Sequence, residues 1–240
     1  MVWFRPDTSG SGVAGFPTNH LYGFEAKNNS SNPTYQIDIQ PGQCRSDDDT
    51  TDIVSSGVLT PDLTQTGVPN GLDTGTEQAL AQYFYFAIYN PTTDTVASLL
   101  SLSQSSPVLP AGYTKKRLLG GVVNLDDILK FYVIGKGHEK LLFFDDVNTA
   151  SGTAYATSWS TVDLSIWMLP IAEIAIMQFN ALGGSGVLNI KPFGASHYFQ
   201  SAYYISSIQC WLPCPSQKFE YQHQTGMFMF YELHGYQILL

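Results

Sequence analysis

Short runs of alternating apolar and polar residues, separated by turn residues, extend along most of this chain of 240 residues. The run Tyr-Gln-Ile-Asp-Ile places Tyr35, Ile37 and Ile39 on one face of a strand. Apolar residues spaced about 3.6 positions apart, which indicate amphipathic helices, are hardly seen. The pattern therefore predicts an all-β fold, in which antiparallel strands form a β-sandwich or a jelly-roll-like domain.

The clearest strand is the aromatic segment 83–90, Tyr-Phe-Tyr-Phe-Ala-Ile-Tyr-Asn. Residues 90–94 have the length of a hairpin loop, and segment 95–103 returns from it. These residues predict a β-hairpin with an aromatic face. Further strands are expected where apolar residues recur between turns, in segments 118–123, 128–134, 140–144, 159–164, 173–182, 187–190, 203–212, 218–222 and 227–238.

The length of the chain suits one large β domain or two smaller ones. Residues 148–157 are rich in Ser, Thr, Ala and Gly, a composition typical of a boundary between domains. We therefore expect one β domain over residues 21–150 and a second, β-sandwich-like domain over residues 151–240. The alternative is that residues 151–240 continue the same sandwich and that 148–157 is a long loop.

Residues 1–20 combine aromatic side chains with Gly, Ser and Pro and show no periodicity. The aromatic side chains of Trp3, Phe4 and Phe16 would gain little in a solvated tail. We expect this segment to be an N-terminal docking arm that contacts another subunit. The alternative is that the same aromatic residues cap the core of their own domain.

Charged residues make up only 13% of the chain, about half the usual share. Such a weakly charged polar surface suits a protein that neighbouring subunits cover. The net charge of −9 argues against a nucleic-acid partner, because phosphate binding needs clustered Lys and Arg and only Lys115, Lys116 and Arg117 form such a cluster. No apolar run has the length of a membrane helix and no signal-peptide layout is seen, so we expect assembly in a cytoplasm without membrane insertion.

Two groups of residues have types that bind metals. Cys210 and Cys214 resemble half of a zinc site, but no second Cys or His pair stands at matching spacing. The acidic stretch from Asp47 to Asp52 lacks the ordered alternation and the closing Glu of a calcium loop. We therefore expect buried free thiols and a solvated acidic turn, with no bound metal and no cofactor.

One group of residues has the types needed for acid-base catalysis. His138 and Glu139 are followed by Asp145 and Asp146, and a His and a carboxylate on neighbouring strands can share a proton. No nucleophile stands at a recognisable strand-to-helix turn. The chain also lacks the long repeats of β-helical enzymes that degrade polysaccharides. We expect no enzymatic activity.

Several short phrases occur in a fixed order in the first two thirds of the chain. They are Asn-Asn-Ser-Ser-Asn-Pro at 28–33, Ile-Asp-Ile-Gln-Pro-Gly-Gln-Cys-Arg at 37–45, Asn-Gly-Leu-Asp-Thr-Gly-Thr at 70–76, Ser-Ser-Pro-Val-Leu-Pro-Ala-Gly-Tyr at 105–113 and Lys-Arg-Leu-Leu-Gly-Gly-Val at 116–122. In this order the set resembles a family of bacteriophage virion proteins, which comprises tail fibres and related structural proteins of the tail or head. The resemblance weakens after Leu182.

The resemblance implies a non-enzymatic structural protein located in the virion and assembled in the host cytoplasm. Because fibre-type members are commonly trimers, it also implies a symmetric homotrimer that contacts other virion proteins of the tail or capsid. A tail fibre or tail component would contribute to host attachment through a surface glycan or protein. One alternative is a capsid decoration or cement protein of the head, and another is a carbohydrate-binding or carbohydrate-cleaving tail module.

Binding residues concentrate on loops that a rigid scaffold holds, and flat aromatic rings with polar edges suit both sugars and proteins. Aromatic residues such as Trp159, Tyr198 and Trp211 lie in the last third of the chain. We expect two loops there to bind a receptor. The candidate contact residues are His197, Tyr198, Phe199 and Gln200 in the first loop and His223, Gln224 and Thr225 in the second.

Overall fold

A computed structural model describes residues 15–125, 128–129, 132–134, 137–143, 151–154, 158–182, 187–201, 208–223 and 228–240. Strands dominate these residues. In chain order they are β1 (Leu21–Gly23), β2 (Ala26–Asn28), β3 (Ile37–Ile39), β4 (Gly42–Arg45), β5 (Asp52–Ser55), β6 (Asp62–Thr66), β7 (Gly71–Leu72), β8 (Ala81–Asn90), β9 (Thr95–Ser101), β10 (Lys115–Leu125), β11 (Ile128–Leu129), β12 (Tyr132–Ile134), β13 (Glu139–Phe143), β14 (Ser151–Ala154), β15 (Ser160–Asp163), β16 (Ala172–Leu182), β17 (Leu188–Pro192), β18 (Phe199–Ser201), β19 (Ile208–Pro213), β20 (Lys218–His223) and β21 (Phe228–Leu239).

The strands form four sheets. Their strand orders are β1-β4-β5, β11-β10-β8-β9-β7-β6, β19-β16-β21-β13-β12-β2-β3 with β14 beside β21, and β15-β20-β17-β18. The pairs are antiparallel except that β7 runs parallel to both β6 and β9. Within the described ranges the only helical element is the short 3-10 turn Pro215–Gln217, and no helix there is long and apolar enough to cross a membrane. The all-β fold class is confirmed.

The aromatic hairpin predicted from the sequence is present. Strands β8 and β9 pair from Asn90 opposite Thr95 to Phe84 opposite Ser101. Tyr83 to Ile88 are buried without interruption, which means that β8 is covered on both faces. Because both faces of β8 are covered, its apolar residues form a continuous run and do not alternate with polar ones.

Two polar side chains of the phrase at 70–76, exposed Asn70 and buried Asp73, bind strand β9, and Asp73 also binds the phrase at 105–113. The side-chain oxygen of Asn70 accepts hydrogen bonds from the amide and the hydroxyl of Ser98, each at 2.8 Å. The Asp73 carboxylate accepts bonds from the Ser101 hydroxyl at 2.7 Å and from the Val108 amide at 3.0 Å. These residues fasten the turn before β8 and the loop after β9 to the same hairpin.

The eight-stranded sheet takes strands from both sides of residue 150. All five residues of β13 pair with β21. Strand β12 lies between β13 and β2, and β2 is near the start of the chain. One cluster of buried apolar residues also extends from Leu21 to Ile238. Strand pairing and core packing therefore continue across the boundary predicted from composition.

The described part of the predicted docking arm is short. Trp3 and Phe4 lie outside the described residues. The Phe16 amide donates to both carboxylate oxygens of Asp52, each at 3.1 Å, and its ring lies 4.6 Å from the His20 ring between centroids. Asp52 in turn pairs with Arg45 at 2.5 Å. Residues 15–20 are thus held against the edge of the three-stranded sheet.

Candidate functional site

The four-stranded sheet has one apolar face and one polar face, as alternation along its strands requires. On the inner face Leu188, Ile190 and Phe219 are buried. The Phe219 ring meets Phe179 of β16 edge to face at 5.6 Å and Tyr231 of β21 at 5.8 Å. The sheet therefore lies on the eight-stranded sheet and presents its other face outward.

A salt bridge crosses the outer face. Lys191 of β17 stands opposite Glu220 of β20, and their charged atoms are 3.1 Å apart. The Lys191 ammonium also donates to the Ala195 carbonyl at 3.0 Å and lies 4.4 Å from the centre of the Trp159 ring. Glu220 accepts a hydrogen bond from the Gly194 amide at 3.1 Å. These contacts fix the chain that leaves β17.

A tight turn follows β17. The Ala195 amide donates to the Pro192 carbonyl at 3.1 Å, and Gly194 has φ of +74°, a value that favours glycine at the third position of a turn. The turn exposes the Phe193 ring above Lys218, whose ammonium lies 5.9 Å from the ring centre. Lys218 is itself paired with Asp163 at 3.0 Å.

Three aromatic side chains lie beside this turn, and we name Trp159, His197 and Tyr198 the aromatic patch. The Trp159 and Tyr198 rings lie 5.6 Å apart and are tilted by 58°. Trp159 is partly buried, whereas Tyr198 is 51% exposed. The Ser196 hydroxyl and His197 Nδ1 are 3.2 Å apart. The patch thus has a fixed inner ring and an exposed outer ring.

A pocket of about 230 Å³ opens at the patch. Pro192, Ala195, His197 and Tyr198 line it. Two of these residues belong to the turn that Lys191 and Glu220 hold. The pocket therefore opens beside a hydrogen-bonded turn and has two aromatic side chains in its lining, and none of the described lining residues carries a carboxylate or ammonium group.

Of the two loops predicted to bind a receptor, the structure describes the candidate residues of the first and only His223 of the second. His197 and Tyr198 line the pocket, and Phe199 and Gln200 follow in β18 opposite Ile190 and Asn189. His223 pairs with Leu188, three residues before Lys191 and hence roughly 10 Å along the strand. Gln224 and Thr225 lie outside the described residues, as do Tyr203 and Tyr204.

Sequence reasoning missed the ion pair that supports the patch. Alternation in β17 and β20 places Lys191 and Glu220 on outer faces, but only the register of the two strands makes them neighbours. Phe193 was also missed, because it follows a proline in a turn where an aromatic side chain has no periodic signal. Trp211, which the sequence singles out, lies elsewhere on the edge strand β19 and is half exposed.

The acidic stretch and the basic cluster bind each other. Lys115 pairs with Asp48 at 2.6 Å, and Lys116 pairs with Asp47. The Lys115 ammonium and the hydroxyls of Ser46 and Thr50 hold the pKa of Asp48 well below its usual range. Among the described residues no group of three His, Cys, Asp or Glu side chains is placed to hold a metal ion. These carboxylates act as partners for lysines.

All three cysteines are free thiols. Cys44 and Cys214 are buried, and burial raises the pKa of each to about 12. Cys210 is partly buried, and burial raises its pKa as well. Because a cysteine reacts as its thiolate, these raised pKa values oppose nucleophilic reactivity near neutral pH.

His138 and Glu139 are engaged with the C-terminal strand. His138 Nδ1 contacts the carbonyl oxygen of Leu240, and Glu139 accepts a hydrogen bond from Gln237 at 2.6 Å. Asp145 and Asp146 lie outside the described residues. His138 and Glu139 thus connect the start of β13 to the C-terminal end of the chain.

No protein-family model matches the sequence of this chain, and a search of curated proteins finds no significant match. The resemblance to bacteriophage virion proteins stays a prediction from the sequence.

Proposed function

We propose that this chain is a non-enzymatic structural protein of a bacteriophage virion, a tail fibre or tail component that assembles as a homo-oligomer and contributes to host attachment. The ordered phrases between residues 28 and 122 support the proposal, together with the low share of charged residues and the all-β fold. The observation that carries it is the aromatic patch, which is held rigidly on the outer face of a packed sheet.

The chemistry around the patch suits adhesion. The Lys191 ammonium is neutralised by Glu220, and the Lys218 ammonium is neutralised by Asp163. Groups that are already paired give little driving force for proton transfer or nucleophilic attack. Exposed aromatic rings on a fixed scaffold instead favour contact with a flat apolar surface at low entropic cost.

The proposed homo-oligomer is a trimer, and an apolar stripe on the three-stranded sheet suits such an interface. Tyr22 stands opposite Gln43, which stands opposite Val54, so the three side chains lie in a row. Tyr22 and Val54 are each more than half exposed, and Val58 follows after the strand at 50%. Burying this row against other copies would stabilise the assembly by the hydrophobic effect.

Gold labelling of intact particles tests the virion role. An antibody against this chain is applied to purified phage and to particles of an unrelated phage, and labels are located by electron microscopy. Sparse label on the tail or its fibres supports the proposal. Dense label over the head identifies a decoration protein instead, and absence from the particle overturns the virion role.

Sedimentation equilibrium of the purified chain tests the oligomer. A mass of three chains supports the trimer, whereas a monomer at every concentration contradicts it. Tyr22→Glu with Val54→Glu places two charges in the stripe and is expected to dissociate the trimer. Thr64→Glu, which alters an exposed position of β6, is the matched control.

A further inference from the structure

We propose that the pocket beside Tyr198 binds a single ring of a neutral glycan, an uncharged hexose, with the sugar stacked on the Tyr198 ring. The inference rests on the proposed function for its biological setting, since the glycan would belong to a host surface. The pocket itself is defined by the described residues that line it.

Tyr198 offers a stacking surface that is already in position. About half of its surface is exposed, and the centre of its ring lies 5.6 Å from the centre of the Trp159 ring. Trp159 is in turn fixed by the Lys191 ammonium, 4.4 Å from its ring centre. Binding therefore orders few side chains, and a rigid aromatic face can contact the C–H groups of a sugar ring at low entropic cost.

The size of the pocket restricts the ligand. Its volume of about 230 Å³ lies below the roughly 300–1,000 Å³ of sites that enclose drug-sized ligands. One six-membered sugar ring fits such a volume, whereas a nucleotide or an extended peptide does not. The opening at the exposed side of Tyr198 leaves room for the rest of a glycan chain to continue into solvent.

The charges argue for a neutral sugar. The nearby ammonium groups of Lys191 and Lys218 are bound to Glu220 and Asp163, so neither is free to pair with a carboxylate or sulfate. The net charge of the chain is −9, which disfavours approach to acidic polysaccharides. An anionic ligand would thus approach a chain whose net charge has the same sign, and the two described ammonium groups near the pocket are already paired.

Hydroxyl groups of a sugar find polar partners at the rim. The Ser196 hydroxyl and the His197 imidazole are exposed and bonded only to each other among the contacts of the described chain, at 3.2 Å. Both can donate and accept hydrogen bonds, as sugar hydroxyls do. The pocket thus combines one stacking face with a small number of polar groups, the usual composition of a small-ligand site.

The experiment uses the purified full-length chain and defined sugars. Methyl glucoside, galactoside, mannoside and N-acetylglucosaminide are titrated to about 50 mM and followed by saturation-transfer NMR, with sialyllactose as the anionic counterpart. For a single ring held by few contacts, the Kd is expected on the order of 1 mM. At least one neutral sugar should bind, and it should bind at least tenfold more tightly than sialyllactose.

Two tyrosine variants locate the binding. Tyr198→Ala is expected to weaken it roughly tenfold or more, whereas Tyr198→Phe should retain most of it because the ring remains. Trp211→Ala removes an equally exposed aromatic side chain on the edge strand of another sheet and should leave sugar binding unchanged. Circular dichroism of each variant confirms that it is folded.

Three outcomes overturn the inference. They are no saturation transfer from any neutral sugar, tighter binding of sialyllactose, and equal binding by Tyr198→Ala. None of them bears on the presence of the chain in the virion, which the gold-labelling experiment tests separately. A particle without label would likewise leave sugar binding by the pocket intact.

Discussion

The ammonium group of Lys140 lies 5.5 Å from the centre of the Tyr85 ring, and both side chains are completely buried. Lys140 belongs to the eight-stranded sheet and Tyr85 to the six-stranded sheet. The same ammonium donates hydrogen bonds to the carbonyl oxygens of Leu119, at 2.5 Å, and Phe24, at 3.1 Å. One lysine thus joins two sheets and the loop that follows β1.

The buried lysine predicts a rise of stability with pH. Burial lowers the pKa of Lys140 from 10.5 to about 7, although the charges of Glu25 and Cys44 oppose the shift. Between these pH values the unfolded chain binds one more proton than the folded chain, so the free energy of unfolding increases with pH by up to about 1.4 kcal/mol per pH unit. Below pH 7 both states are protonated and the effect is constant. Urea unfolding between about pH 7 and 8.5 measures it.

Lys140→Met is expected to abolish the increase of the free energy of unfolding with pH. Lys27→Met, at an exposed position, is the control and should retain that increase. The window stops near pH 8.5 because the raised pKa of Cys44 gives an opposite effect above it. In that higher range the unfolded thiol loses its proton first and stability falls. Equal pH slopes for Lys140→Met and the native chain would contradict the assignment.

The packing beside Tyr85 gives a second prediction. An added Cβ at Gly120 would overlap the Tyr85 hydroxyl and lie 2.6 Å from Cζ of its ring. The neighbouring buried layer leaves Tyr85 little room to move, so Gly120→Ala is expected to destabilise the fold by about 1–3 kcal/mol. Gly57→Ala, where nothing lies within 4 Å, is the control and should be nearly neutral. Chemical denaturation at one fixed pH compares the two variants.

Local patterns were sufficient to predict several strands. The alternation at Ile37 and Ile39 and the aromatic run in β8 reappear as buried strand positions, and the short loop between β8 and β9 made their pairing predictable. Distant pairings such as β13 with β21 were not predictable. A strand of five residues carries no local signal of which distant strand will be its neighbour.

Only part of the candidate site was predictable, because its residues come together through pairings between distant strands. Tyr198 and Trp159 were recognised as aromatic residues suited to binding, but their proximity depends on the register of β15, β20 and β17. The pairing of Lys115 with Asp48 joins residues 67 positions apart. Charge patterns indicate that such groups are exposed or paired, but they do not identify the partner.

Asp73 is expected to be important for stability. It is 6% exposed and its carboxylate holds the Ser101 hydroxyl and the Val108 amide. Asp73→Ala leaves both donors without this partner, at an expected cost of about 2 kcal/mol or more. Asp94→Asn, on an exposed loop where φ of Asp94 is +52° and the side chain accepts from Tyr89, keeps a residue that tolerates this conformation and should change stability by less than about 0.5 kcal/mol. Similar melting temperatures for the two variants would refute this role of Asp73.

Calcium is expected to leave the chain unchanged. Asp47 and Asp48 are bound to Lys116 and Lys115, so a cation would have to displace two ammonium groups before it gained ligands. Isothermal titration calorimetry of the native chain with millimolar calcium should give no binding heat. A chelator should not lower the melting temperature of the chain. A calcium-dependent increase in melting temperature of the native chain would show that the ion pairs are weaker than this geometry indicates.

The cysteines are expected to differ in reactivity by position. Cys44 and Cys214 are buried with pKa values raised to about 12, so almost no thiolate is present near pH 8 and reagents have no access. Cys210 is only partly buried and should be the first to react, though slowly, because its pKa is also raised. Treatment with a maleimide, followed by peptide mass spectrometry, measures each site, and Cys210→Ser should abolish labelling of the folded chain. Rapid labelling of Cys44 in the absence of denaturant would mean that the three-stranded sheet opens around its central strand β4 in solution.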